Sequence, residues 1–152
     1  MTADRDQATQ SQPKKPGPRR EGREIALQYL FGHELNAEAD PESPEAEDFW
    51  RLRPARPRSR AFAVALLRGV IANLAEIDAR IAASVENYAL NRLAGVDRNL
   101  LRLAVYELAF DTDVPPAVAI NEAIEIAKRF GTEESARFVN GVLDRIRKEQ
   151  PR

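Results

Sequence analysis

From residue 18 onward, apolar residues recur at intervals of three and four, the spacing of helix faces turned toward a core. Pro18 suits a first helical turn, and a helix is predicted over about 19–35 with Leu27, Leu30, Phe31 and Leu35 facing inward. A Pro- and Glu-rich loop follows. Ser43-Pro44 reads as an N-cap with proline at the first helical position, opening a short helix through Phe49 and Trp50. Pro54 and Pro57 then break the chain. A long helix is predicted over about 58–85, its stripe running through Leu66, Val70, Leu74 (or Asn73), Ile77, Ile81 and Val85. A short segment at 88–93 leads to a helix over 96–111 that turns Leu100, Leu101, Ala104 and Leu108 inward. Pro115-Pro116 opens the next helix, which buries Ile120, Ala123, Ile124, Ala127 and Phe130 and ends at a Gly131 C-cap. The last helix covers about 133–147, with Val139, Val142, Leu143 and Ile146 inward. The expectation is one all-α domain of six to seven helices over 18–148, with helical halves at about 18–87 and 88–148. A polar, Pro-containing, disordered basic arm over 1–17 precedes it, and a tail at 149–152 ends the chain.

Composition narrows the class. At 43% hydrophobic residues, 152 residues bury one real core. The chain has no cysteine, which excludes a disulfide framework, a zinc–cysteine site and a thiol nucleophile. His33, the single histidine, excludes a His-rich metal site and reads as a partly exposed surface residue beside Glu34. No apolar run reaches the roughly 18 residues a membrane span needs, and the N-terminus lacks the apolar core of a secretory signal. A cytoplasmic protein is therefore expected. Phosphate-cradling glycine loops are absent, and acidic pairs such as Glu122 and Glu125 have the spacing of ordinary solvated helix faces. The reading is of a non-enzyme without cofactor.

Charge changes this picture because it is arranged in blocks that a net charge of −1 conceals. Arg5, Lys14, Lys15, Arg19, Arg20 and Arg23 outnumber the acids of residues 1–23. Residues 34–48 carry seven acids and no Lys or Arg, and residues 51–60 carry five Arg and no acid. The basic arm suits a solvated tail or an electrostatic search for nucleic acid. Only four of the 23 basic residues are Lys (14, 15, 128 and 148), so Arg dominates. Genomic base composition explains that bias, and so does a need for Arg's planar fork on phosphates and bases.

Three local patterns stand out. Arg19, Arg20 and Arg23 occupy the opening of the first helix, where the macrodipole disfavours each cation by roughly 0.3–1 kcal/mol; a bound phosphate backbone reverses that cost. Asn121 follows an inward Ile120, which favours a satisfied structural amide stitching two helices. In Ser135-Ala-Arg137-Phe138-Val139-Asn140-Gly141, a glycine inside a helix implies close approach by a neighbour. Phe138 there sits at the core edge, suited either to packing or to stacking on an unpaired base.

The run from Arg19 to Gln28, Gly69-Val, Asp97-Arg98-Asn-Leu-Leu101 through Leu108, Ile120-Asn121-Glu122-Ala, Ala127-Lys128-Arg-Phe-Gly131 and Phe138-Val-Asn140-Gly141-Val-Leu-Asp144 together resemble the NusB family over about 19–147. The resemblance implies two perpendicular helical bundles without enzymatic activity. It also implies a role in transcription antitermination. Such a protein pairs with NusE, a small-subunit ribosomal protein, on single-stranded boxA RNA. Together with NusA and NusG the pair helps RNA polymerase resist termination on ribosomal RNA operons. A ribosome-assembly or protein-interaction adaptor is the alternative, and some members form homodimers. Carried over by position, Arg19, Arg20, Arg23, Lys128, Glu134, Ser135 and Phe138 fall in the RNA-contacting region, and Phe31 and Asp97 on the NusE side. Glu21 stands where many relatives have Arg, Phe31 where Tyr is common, and Tyr88 where Trp is frequent.

Overall fold

A computed structural model describes residues 16–33, 35–36, 38–85 and 90–150. The predicted arm through residue 15, the segment holding Tyr88 and the last two residues lie outside that set. Among the described residues there are seven α-helices and no strand. They are α1 (Pro18–Gly32), α2 (Glu47–Leu52), α3 (Pro57–Ala72), α4 (Leu74–Ser84), α5 (Gly95–Ala109), α6 (Pro116–Phe130) and α7 (Glu133–Glu149), with short 3₁₀ turns at Pro44–Ala46 and Leu90–Arg92. None of these helices is long and apolar enough to cross a membrane.

Proline opens α1, α3 and α6, where its missing N–H would have no intrahelical acceptor in any case. α7 begins on a capping box: Ser135 N donates to Thr132 Oγ1 at 3.2 Å, and Thr132 N donates to Ser135 Oγ at 3.1 Å. The predicted cap at Ser43 is not made by its side chain. α1 packs on α3, α6 on α7, and α5 touches α1, α3, α4, α6 and α7. One core therefore runs unbroken from Trp50 through Leu27, Leu67 and Leu101 to Leu143 and Ile146.

The predicted helix over 58–85 is two helices. At Asn73 the side-chain Nδ2 donates to the Gly69 carbonyl at 2.8 Å, the acceptor that its own backbone N–H would use in a continuous helix. That N–H turns instead to Val70 O at 3.2 Å, and a new helix starts at Leu74. Five inward assignments also change. Phe31 is exposed, and Leu35, Leu74, Ile124 and Phe130 are only half-buried: Leu35 lies beyond the end of α1 at Gly32, Leu74 at the break, and Ile126 takes the central place on α6. Asn121 is exposed: the buried stripe of α6 is Ala119, Ile120, Ala123, Ile126 and Ala127, and residue 121 lies a further 100° around.

Gly141 is the clearest reversal. A β-carbon there would meet no atom within 4 Å, and the residue is exposed. The close approaches lie at Gly22, against Phe62 and the Ser59 carbonyl, at Gly69, against the Tyr106 ring, and at Gly131, against Ser135. Gly141→Ala is expected to stabilise the protein by about 0.5–1 kcal/mol, read as a higher urea midpoint at unchanged slope. A lower midpoint would show that something packs there after all.

The acidic and Arg-rich blocks meet in one pair, and others of their charged groups find partners outside the blocks. Arg68 reaches Asp40 and Glu42 at 3.5 Å, Arg51 pairs with Asp48 at 2.6 Å, and Arg53 Nε donates to Gln28 Oε1 at 2.8 Å. Arg60 lies over the Trp50 ring at 4.5 Å, while Trp50 Nε1 donates to Pro41 O at 2.7 Å. The acidic loop is thereby held against α2 and α3. Arg56 bonds Glu21 and the Pro16 carbonyl, tying the chain entering α1 to the start of α3.

Candidate nucleic-acid interface

The opening of α1 presents its three arginines in three different ways. Arg19 is exposed, its guanidinium 5.9 Å from the centre of the Phe62 ring. Arg20 forms a two-pronged pair with Glu122 of α6 and is half-buried. That hydrogen bond, followed by the Glu122 charge, raises its pKa above the usual arginine value and keeps it cationic. Arg23 is only 4% exposed. Its Nε and Nη2 each donate at 2.7 Å to a Glu107 carboxylate oxygen on α5, and its Nη1 lies 3.8 Å from Glu122. Joint presentation of three guanidiniums at the helix start is therefore corrected. α3 and α5 pack on α1 and α6 reaches it through Glu122 and Arg129, every residue from Gly22 to Leu27 is buried, and Arg23 falls inside that stretch. A cleft of about 520 Å³ remains at the surface, lined by Pro18, Arg19, Arg20, Val118 and Glu122 and by the edge of Arg23.

The residues at the α6–α7 corner divide between two further clefts. Lys128 is exposed, pairs with Glu125 at 3.3 Å, and lines a cleft of about 440 Å³ with Glu133, Ala136 and Arg137. Glu134, Ser135 and Phe138 line another of about 350 Å³ with Arg92, Asp97 and Thr132. The Ser135 hydroxyl is committed to the α7 cap. Phe138 is half-buried: it packs against the core and also borders the cleft.

Phe31 of α1 reaches the first turn of α5, which also carries Asp97. The Phe31 ring covers Gly95, where a β-carbon would lie 3.3 Å from it, and Asp97 follows two residues later. Asp97 Oδ1 is buried without a hydrogen-bond partner among the described residues. Asp97 also shares its cleft with Phe138, so the expected partner side and RNA side meet at this edge.

The NusB family model matches residues 20–148. This chain belongs to the NusB family. It is 48% identical over 130 residues to the transcription antitermination protein NusB of Sorangium cellulosum, covering 86% of this chain and 91% of that one. It is 46% identical to that of Geobacter sulfurreducens, covering 89% and 97%. Its fold superposes on T. maritima NusB with a TM-score of 0.72 at 44% identity, over 90% of this chain and 94% of that one. A crystal structure of antitermination factors NusB and NusE in complex with dsRNA aligns with a TM-score of 0.71 at 26% identity, over 87% and 97%. Within this NusB-family chain, Glu122, read as part of a solvated helix face, is half-buried against Arg20, and the roles of Glu107 and Glu122 were not legible because they lie 84 and 102 positions from the arginines they hold. Helical periodicity reports which face is apolar, and nothing about which distant helix supplies a counter-ion.

Proposed function

We propose that this chain is a transcription antitermination factor that acts with NusE on boxA-type single-stranded RNA of nascent ribosomal transcripts. Bound there, with NusA and NusG, it helps RNA polymerase resist termination. It works in the cytoplasm and performs no catalysis. Family membership over residues 20–148 carries this reading, and the arginine-lined cleft at the start of α1 supports it. Arg19 offers a cationic fork, and Arg20 the one guanidinium nitrogen that Glu122 does not engage, beside the free amides of a helix N-terminus, an arrangement suited to phosphate. Phe138 supplies an aromatic surface for an unpaired base. Phe31 and the Asp97 edge supply the NusE contact, and Lys128 and Glu134 flank the RNA path.

The test is fluorescence anisotropy of a labelled boxA-type RNA against a scrambled one, with and without NusE, over a salt series. Wild type should prefer boxA and bind most tightly with NusE. Arg19→Ala with Arg20→Ala should shallow the salt slope by roughly 1.4, about 0.7 for each lost phosphate contact on a single strand. Phe138→Ala should weaken binding by about 1–3 kcal/mol with the slope unchanged, because stacking releases no counter-ion. A wild-type slope in the double arginine variant would sink the phosphate assignment.

A further inference from the structure

Glu24 is buried on α1, one turn beyond Arg20. Both of its carboxylate oxygens accept from a single nitrogen, Nη1 of Arg129, at 2.9 and 2.8 Å. Arg129 stands in the last turn of α6 with its side chain 62% exposed, and its guanidinium lies 5.2 Å from the centre of the Phe130 ring. Its Nε and Nη2 bond no described residue. The other interhelical arginine pairs differ. Arg20 on Glu122, Arg23 on Glu107 and Arg102 on Asp78 each engage both carboxylate oxygens through two nitrogens, so the fork is used up. Arg129 spends one corner on its partner and keeps the opposite edge outward. A buried carboxylate and an aromatic ring hold that edge in place, so little side-chain entropy is left to lose on binding.

Position supplies the second argument. Glu24 places Arg129 one helical turn from Arg20 along α1, and Lys128 beside it lines the cleft that holds Arg137. Two turns of α6 separate Glu122 from Arg129, about 10 Å. That is roughly three nucleotides of a stacked strand at about 3.4 Å each. The arginine cleft of α1 and the Lys128 cleft are separate cavities; Arg129 is bound to α1 through Glu24 and adjoins Lys128 in the chain.

We propose that Arg129 is a further RNA-phosphate contact, positioned by Glu24, and that it joins the two basic clefts into one track. This rests on the RNA-binding reading above. The closing experiment compares wild type, Arg129→Lys, and Glu24→Gln with Arg129→Gln, using anisotropy with boxA-type RNA and NusE, alongside thermal unfolding. The paired glutamines keep a neutral hydrogen-bonding couple, so the buried carboxylate is not stranded. The paired variant should unfold within a few degrees of wild type yet bind RNA about tenfold more weakly. Arg129→Lys should recover only part of that loss, because an ammonium does not reproduce the fixed fork. Wild-type affinity in the paired variant would overturn the proposal while leaving the Arg19 and Arg20 assignment standing. If the paired variant loses its fold, Arg129→Lys decides: full wild-type affinity there overturns the fork contact, and a several-fold loss supports it. Wild-type protein without affinity for any of the RNAs overturns both readings.

Discussion

Replacing Arg23 by alanine is expected to destabilise the protein by about 3–5 kcal/mol, a large share of a small domain's stability. The guanidinium and the Glu107 carboxylate are 5% and 3% exposed and meet through two parallel bonds of 2.7 Å. The Coulomb attraction between two such groups offsets their desolvation only while both are present. Alanine removes two charge-assisted bonds from a carboxylate that stays where water does not reach it. The same guanidinium also stands 5.1 Å from the centre of the Phe62 ring and 3.8 Å from Glu122, and both contacts go with it. Equilibrium urea unfolding checks this, and the informative partner is Arg23→Met with Glu107→Leu. Apolar side chains of similar volume need no counter-ion, so that double variant should recover most of the loss. A variant Arg23→Ala with wild-type stability and a shallower salt slope in RNA binding would place Arg23 on the RNA instead of in the core.

Gly22→Val should follow in size, with a loss of about 1–3 kcal/mol in the same measurement. A β-carbon at residue 22 would stand 2.7 Å from Phe62 Cδ1 and 2.9 Å from the Ser59 carbonyl oxygen. The Phe62 ring can turn aside, but the Ser59 oxygen is backbone of α3, so α1 must lift away from α3 to make room. Alanine recovers up to about 1 kcal/mol of helix propensity against the same clash, so its net cost is smaller than that of valine. Phe62→Ala added to Gly22→Val should rescue only part of the loss, since the carbonyl stays. Full rescue would mean that the ring alone sets the helix spacing. Because α1 carries Arg19 and Arg20, its displacement should also weaken RNA binding, beyond what unfolding accounts for.

Most of the fold was legible in the chain because helix formation is local. Proline at the starts of α1 and α6 and stripes such as Leu100, Leu101, Ala104 and Leu108 on α5 read correctly from spacing alone, whereas Pro57, read as a breaker, is itself the first residue of α3. The break at Asn73 was less legible, since it turns on one side-chain amide displacing a backbone N–H from the Gly69 carbonyl. Gly141 misled for a related reason. A glycine shows that a close approach is permitted, and only the partner helix decides whether one occurs.

By itself, then, the sequence determined an all-α chain, most of its core and, through the spacing of its motifs, membership of the NusB family. Tertiary structure alone decided which of three neighbouring arginines is a structural bolt, which is tethered and which is free. It also decided that Asp97 shares a cleft with Phe138 and that Arg129 is held by Glu24 of α1. The physical reason is the range of the forces. Backbone hydrogen bonding and hydrophobic periodicity act within one helix and are written in adjacent residues. Burial and charge pairing act between helices, and what they do to a guanidinium depends on residues 84 to 105 positions away.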